Sequence, residues 1–188
     1  MTIRTANPAD APALQAIYAH YIETPVTFLY QLPSADDIAW TVVDVLHRYP
    51  YLVAEEDGKI LGYAYAHPLR EYTAYSWDVE LTIYLDPSAT GRGAGSRLYT
   101  ALMDLLRLQG VKNVYGCVTS PNPPSEALHK KLGFATVGSF HQTGYKSGAW
   151  QDVIWFEKNI APCDGVPEPV IPFLELDGKA VAAVLNEK

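Results

Sequence analysis

Three glycines alternate in the stretch LDPSATGRGAGSRLY, residues 85 to 99: Gly91, Gly93 and Gly95, separated by Arg92 and Ala94. A helical pattern starts inside this run, although glycine disfavours a helix interior by about 1 kcal/mol relative to alanine. Bare backbone at a helix start is suited to binding anions. The first amides of a helix have no intrahelical acceptor, and they carry the positive end of its dipole. The amides of Gly91, Arg92, Gly93, Ala94, Gly95 and Ser96 can therefore converge on a diphosphate, with Arg92 adding charge. Two familiar phosphate loops fit poorly. A P-loop ends in Gly-Lys-Ser/Thr, whereas this run ends in Gly95-Ser96-Arg97. The dinucleotide fingerprint spaces its glycines G-x-G-x-x-G early in a βαβ unit; here the spacing is G-x-G-x-G in mid-chain.

Two further groups can do proton chemistry. In WDVELTIYL, residues 77 to 85, alternation places Asp78, Glu80, Thr82 and Tyr84 on one face of a strand. Val79, Leu81, Ile83 and Leu85 take the other. A carboxylate on so apolar a strand is partly removed from water, which raises its pKa and equips it to accept a proton. In SPNPPSEALHKKLGF, residues 120 to 134, Ser125 and His129 stand four apart and share one helix face. A helix-surface histidine is the competing reading for His129. Cys117 lies in apolar strand-like sequence without an evident histidine partner, which makes it a weak nucleophile. The remaining histidines, His20, His47, His67 and His141, show no ligand spacing and read as ordinary surface or half-buried residues.

The elements that must position these groups follow from caps, periodicity and turns. TIRTA is a strand. Asn7 caps a helix through Ile22, with Pro8 in its first turn, and Ser34 caps another through Tyr49, with Asp36 and Asp37 in its first turn. Between them, ETPVTFLYQLP reads as an irregular aromatic loop. Asp57-Gly58 joins two strand-like runs into a hairpin. After the glycine run, Leu98, Ala101, Leu102, Leu105 and Leu106 form one helical stripe that ends before Gly110. VKNVYGCVT is a strand, PPSEALHKKLGF a short helix, and the run from Ala135 to Ile160 two antiparallel strands. These readings give one body over residues 1–160 and a Pro-rich extension over 161–188, in which FLELDGKAVAAVL is either a hairpin or a short helix.

Composition narrows the function classes. The 188 residues are 48% hydrophobic and 19% charged, as expected of a globular domain. A net charge of −7 argues against nucleic acid, whose phosphates need a basic surface. Cys117 and Cys163 make neither a disulfide framework nor a metal ligand set, so no metal is expected. No apolar run approaches the roughly 20 residues of a membrane span, and MTIRTANPAD lacks the apolar region of a signal peptide. A cytoplasmic protein without membrane partners is the expectation.

Thr90-Gly91-Arg92-Gly93-Ala94-Gly95 resembles the pyrophosphate loop Gln/Arg-x-x-Gly-x-Gly/Ala of the GNAT superfamily of N-acetyltransferases, with Thr90 in place of the usual Gln or Arg. The closer resemblance is to the phosphinothricin and methionine sulfoximine N-acetyltransferase branch. It is carried in order over roughly residues 2 to 160 by IYAHYIETPVTF, RYPYLVAEEDGKILGYAYA, YSWDVELTIYLDP, GSRLYTALMDLLRLQG, SPNPPSEALHKKLGF and GYKSGAWQDVIWFEK. The resemblance implies an α/β (α+β) GNAT fold: a mixed, mostly antiparallel central sheet with splayed middle strands, flanked by helices. It implies acetyl-CoA as co-substrate, its pantetheine arm paired with backbone at Ile83, Tyr84 and Leu85 and its diphosphate on the amides of 91 to 96.

The resemblance also assigns roles. Glu80 becomes the general base, Asn122 and Ser125 cofactor contacts, and His129 either the acid that protonates the departing thiolate or a further cofactor contact. Arg70 would meet the carboxylate of a small amino-acid-like substrate such as phosphinothricin or methionine sulfoximine. Phe28, Tyr75 and Trp150 would wall its pocket, with Tyr30, Tyr72 and Trp77 as further aromatic candidates. Some relatives carry a second arginine where this chain has Ser76. The alternatives are an acetyltransferase for protein N-termini or polyamines, and a non-catalytic acyl-CoA binding module. Homodimerisation is usual in the branch.

Overall fold

In the computed structural model, which describes residues 1–187, each sequence signal becomes an element with a visible cause. Asn7 accepts from the amide of Ala9 at 2.9 Å while Asp10 accepts from the amide of Asn7 at 2.8 Å. This capping box opens a single tight turn that runs into α1, Ala11–Ile22. Ser34 and Asp37 build the same device before α2, Ala35–Arg48. The strands are β1 Thr2–Thr5, β2 Tyr51–Glu56, β3 Lys59–Pro68, β4 Asp78–Leu85, β5 Asn113–Ser120, β6 Ala135–Lys146 and β7 Ala149–Asn159. The remaining helices are α3 Ala94–Gln109, α4 Pro123–Lys131 and α5 Gly178–Asn186.

The strands form one sheet in the order β1-β2-β3-β4-β5-β7-β6. All its pairings are antiparallel except β4 with β5. That parallel pair is short. It holds Asp78 opposite Asn113, Val79 opposite Val114 and Glu80 opposite Tyr115, and then the strands part. On its other side β4 stays paired with β3 as far as Leu85, and β5 stays paired with β7 as far as Ser120. The sheet is therefore split in its middle, beginning one residue after Glu80.

The predicted alternation of β4 holds. Val79 and Leu81 are buried, and with Ile83 and Leu85 they pack into the larger core against α3. The stripe Leu98, Ala101, Leu102, Leu105 and Leu106 is fully buried there. The opposite face of the sheet carries Tyr51, Tyr63, Tyr65 and Tyr84 under α1 and α2. Residues 162–169 are exposed, and the chain from Val170 onward packs back on the body. Phe173 is buried in the larger core, and the amide of Ile171 donates to the carbonyl of Gln109 at 2.9 Å. Val181, Val184 and Leu185 of α5 pack on the same core, with α5 against α3 and β1. Of the two readings left open for this segment, the short helix is the one that forms.

Candidate functional site

The split between β4 and β5 is a cavity of about 170 Å³. Glu80, Ile83 and Tyr84 line it from β4, and Asn122, Ser125 and His129 from α4 and its cap. These are six of the residues singled out from sequence. Val26 reaches in from the α1–α2 loop, Tyr99 from α3, and Cys117 from β5.

Backbone phase decides what the split offers. The amide of Asp86 donates to Leu61 on the β3 side at 2.8 Å. Strand alternation then turns the polar groups of Leu81, Ile83 and Leu85 toward the gap. The carbonyl of Leu85 already accepts from the Tyr21 hydroxyl at 2.6 Å. The ladder to β5 has ended at Glu80, so the N–H and C=O of Ile83 face no strand. An unpaired strand edge of this kind can hold an extended, amide-bearing chain.

At the C-terminal end of β4 the glycines separate into two roles. Gly91 and Gly93 adopt φ of 78° and 86°, and open space surrounds both. Gly93 is the residue before α3, and the first intrahelical bond there runs from the amide of Arg97 to Gly93 at 3.1 Å. The amides of Ala94, Gly95 and Ser96 are thus free of intrahelical acceptors at the positive end of a 16-residue helix. Gly95 differs from the expectation that all three glycines clear room for a phosphate. It is buried, and a Cβ there would lie 3.3 Å from Leu128 and 3.4 Å from Leu85, so its smallness serves helix packing. Arg92 is not a free cation either, because it pairs with Glu56 at 2.5 Å.

Glu80 sits half-buried on the strand at the mouth of the split. Burial pushes its carboxyl above the ordinary value, while His67 and Arg70 pull it back. His129 is not on the helix surface. It is 1% exposed, stacked on Phe156 at 4.9 Å and edge-on to Phe134 and Tyr99. The apolar surroundings of α4 override its polar sequence context. Its Nδ1 lies 2.8 Å from the carbonyl of Ser125. A carbonyl only accepts, so Nδ1 carries the proton and Nε2 is a bare acceptor; that Nε2 has no partner among the described residues. Burial also lowers the pKa of this imidazole. Asn122 caps α4 by accepting from the amide of Ser125 at 3.3 Å, which leaves its NH₂ group to the cavity. Cys117 borders the cavity with its thiol pushed up to about 12 by burial and by Glu80.

The substrate-side residues scatter more. Arg70 and Tyr75 line a neighbouring cleft of about 130 Å³ with Arg48, Tyr72 and Ser76. Phe28 packs against Gly144 of β6, where a Cβ would stand 2.3 Å from its ring. Trp150 is 61% exposed at the start of β7 and meets Tyr145 edge-on, outside the cavity, because β6 and β7 form an exposed edge hairpin. Trp77 lines a separate cavity of about 310 Å³ whose other wall includes Pro169, Val170 and Pro172. Val26 escapes sequence reading, and His67 reads there only as an ordinary surface or half-buried histidine. One sits in an irregular loop, and the other gains its significance only from strand register.

Residues 3–155 match the family described as Acetyltransferase (GNAT) domain. The phosphinothricin N-acetyltransferase of Streptomyces viridochromogenes is 37% identical over 175 residues, covering 93% of this chain and 95% of that protein. The L-methionine sulfoximine/L-methionine sulfone acetyltransferase of Salmonella typhimurium is 33% identical, covering 84% of this chain and 93% of that one. Among solved structures, a phosphinothricin acetyltransferase from Sinorhizobium meliloti in complex with AcCoA superposes with a TM-score of 0.86 at 33% identity, over 93% of this chain and 97% of that one. No helix among the described residues is long and apolar enough to cross a membrane.

Proposed function

The chain belongs to the GNAT acetyltransferase family and is an acetyl-CoA-dependent N-acetyltransferase; we propose that its acceptor is the α-amine of a small amino-acid-like compound such as phosphinothricin or methionine sulfoximine, with Glu80 as general base. Membership of an enzyme family sets aside the non-catalytic binding module. The observation that carries the reading is the placement of Glu80. It is the last β4 residue paired with β5, so its carboxyl stands where the split sheet opens.

The residues present fit acetyl-CoA. The unpaired edge at Ile83 suits the amides of a pantetheine arm, and the free amides of Ala94, Gly95 and Ser96 suit a diphosphate. The unpartnered Nε2 of His129 and the NH₂ of Asn122 offer one acceptor and one donor beside the same cavity. When bound, acetyl-CoA supplies the acetyl group and, as thiolate, the leaving group. Glu80 takes the proton from the incoming ammonium, and its raised pKa brings it toward the amine's own range. His129 acts as a contact rather than an acid in this reading. Its neutral form has no proton on Nε2, and a thiolate of ordinary pKa about 8.5 leaves without help.

Arg70 supports an acceptor bearing a carboxylate. It is exposed, lines the cleft beside the site and lies within electrostatic reach of Glu80. We place Tyr75 with it. Exposed Phe140, Tyr145 and Trp150 on the edge hairpin suit a homodimer face, which sedimentation velocity at micromolar concentration tests; a monomer overturns it. The deciding experiment for the acceptor is acetylation assayed against free amino acids, phosphinothricin, methionine sulfoximine, N-terminal peptides and polyamines. Turnover confined to peptides or polyamines removes the amino-acid reading.

A further inference from the structure

His67 on β3 stands directly opposite Glu80 on β4. Facing residues of an antiparallel pair project to the same side of the sheet, with Cβ atoms roughly 4.5–5.5 Å apart. The rows beside them are Tyr65 opposite Thr82 and Tyr63 opposite Tyr84. Tyr63 is buried within that face, while His67 and Glu80 are half-buried at its outer end. There β3 stops at Pro68, and the loop carrying exposed Arg70 begins. Glu80 borders the cavity, and Pro68 next to His67 borders the neighbouring cleft. The pair therefore stands between the cavity that Glu80 lines and the cleft that Pro68 lines.

The ring is set to accept. Its Nδ1 lies 3.3 Å from the carbonyl of Pro68, and a neutral ring that donates to this carbonyl keeps the lone pair of Nε2 free. No direct hydrogen bond joins the ring to Glu80 among the described residues, so a proton passing between them needs a bridging water.

The other ionisable groups around Glu80 do not offer this service. Arg70 carries a guanidinium, which donates hydrogen bonds and has no lone pair to accept a proton. Burial holds the hydroxyl of Tyr99 on α3 well above its ordinary value, and raises those of Tyr65 on β3 and Tyr115 on β5. The Cys117 thiol is pushed up to about 12, and the buried Nε2 of His129 faces β5. An imidazole is the side chain whose charge changes around neutral pH.

We propose that His67 receives from Glu80 the proton that Glu80 takes from the substrate ammonium, and releases it to solvent. The inference rests on Glu80 being the general base. The ammonium N–H bond breaks as the Glu80 O–H bond forms, leaving a neutral amine and a carboxylic acid. The acid then passes its proton to Nε2 of His67 through the water, restoring the carboxylate and making an imidazolium, which gives a proton to bulk water. His67 acts through Glu80 and does not meet the reacting atoms, so it is a positioning residue for the proton.

The test compares wild type, His67→Gln, His67→Ala and Glu80→Gln by kcat, KM and pH profile, with acetyl-CoA and whichever amine the acceptor screen identifies. His67→Gln should lose about tenfold or more in kcat, within the range of acid–base effects. Its acid limb of kcat/KM should move up, because the imidazole that gains a charge beside Glu80 as the pH falls is gone. Affinity for acetyl-CoA should stay as in wild type, and added imidazole should restore part of the turnover of His67→Ala. A wild-type rate and profile in His67→Gln overturns the proposal while Glu80→Gln is inactive. A loss that is uniform across pH and untouched by imidazole also overturns it. Wild-type turnover in Glu80→Gln instead removes the underlying reading of Glu80.

Discussion

Nε2 of His129 occupies the space where a side chain at Gly116 would begin. An ideal Cβ built on Gly116 falls 2.3 Å from that nitrogen and 2.9 Å from the adjoining Cδ2. The glycine lets α4 lay its histidine flat against β5, between Phe156 and Tyr99, at the wall of the split sheet. A buried acceptor without a partner costs about 1–3 kcal/mol, so keeping Nε2 bare is a cost that a bound donor would recover.

Gly116→Ala should force that ring to move. Overpacking of this kind costs about 1–3 kcal/mol, and the displaced imidazole narrows the cavity it lines. Thermal unfolding should show the loss of stability, and isothermal titration should show weaker acetyl-CoA binding. Unchanged binding together with a lowered melting temperature would confine Gly116 and His129 to a packing role.

Glu80→Gln separates chemistry from binding. Turnover should fall by about 10²–10⁴, the usual contribution of a positioned acid or base, while acetyl-CoA affinity stays nearly constant. In the parent, kcat/KM should decline as pH falls through a Glu80 pKa that lies above the ordinary 4.5. The stability effect has the opposite pH sense. A carboxyl raised in the folded state contributes stability that is full below its unfolded pKa and is lost as pH rises through the folded one. Glu80→Gln removes that loss, so the variant should match the parent near pH 4.5 and melt higher at pH 8. Melting curves at the two pH values measure it.

Much of this was legible in the chain because local rules agree with tertiary placement. The Asn7 and Ser34 caps, the α3 stripe and the alternation of β4 all needed only spacing and residue type. The glycine run revealed a helix N-terminus, yet only packing separates Gly91 and Gly93, which stand in open space, from Gly95, which lies under Leu128. Register was out of reach: nothing in AYAHP says that His67 will face Glu80. The same limit applies to His129, whose neighbours Lys130 and Lys131 read as surface while its ring points at Phe156 from another part of the chain. The dispersal of Phe28, Arg70 and Trp150 has the same origin, since loop and hairpin conformations decide where they point.

Gly93→Ala probes the proposed diphosphate site without touching the cavity. Nothing lies within 4 Å of a Cβ at Gly93, so the change creates no clash. It does place a side chain at φ of 86°, which costs a non-glycine residue roughly 1–2 kcal/mol. The turn should relax away from the geometry that aims the first α3 amides. KM for acetyl-CoA should rise at least severalfold, while an acetyl-pantetheine lacking the diphosphate should be used as well as by the parent. An equal loss with both donors would show that the turn acts on the fold instead.

Phe173→Ala tests whether residues 161–187 help to hold the body together. Phe173 is 7% exposed within the same core as Leu105 and Leu106 of α3. The connection is reinforced by polar contacts. The Gln109 side chain donates to the carbonyls of Arg48 at 2.6 Å and Ile171 at 2.7 Å, and the indole N–H of Trp77 donates to the carbonyl of Glu168 at 2.7 Å. Emptying a buried phenylalanine site costs about 3–5 kcal/mol, a large share of the 5–15 kcal/mol that stabilises an ordinary domain. Chemical denaturation should show a loss of that order. Activity well below the melting transition should survive, since Phe173 does not border the cavity between β4 and β5. Trp77→Phe should act differently. It frees the end of the loop that carries Arg70, so it should raise KM for the amine more than it lowers stability. A shift of less than about 1 kcal/mol in Phe173→Ala, within the range of surface substitutions and slightly above, would mean that the C-terminal segment rests on the core without supporting it.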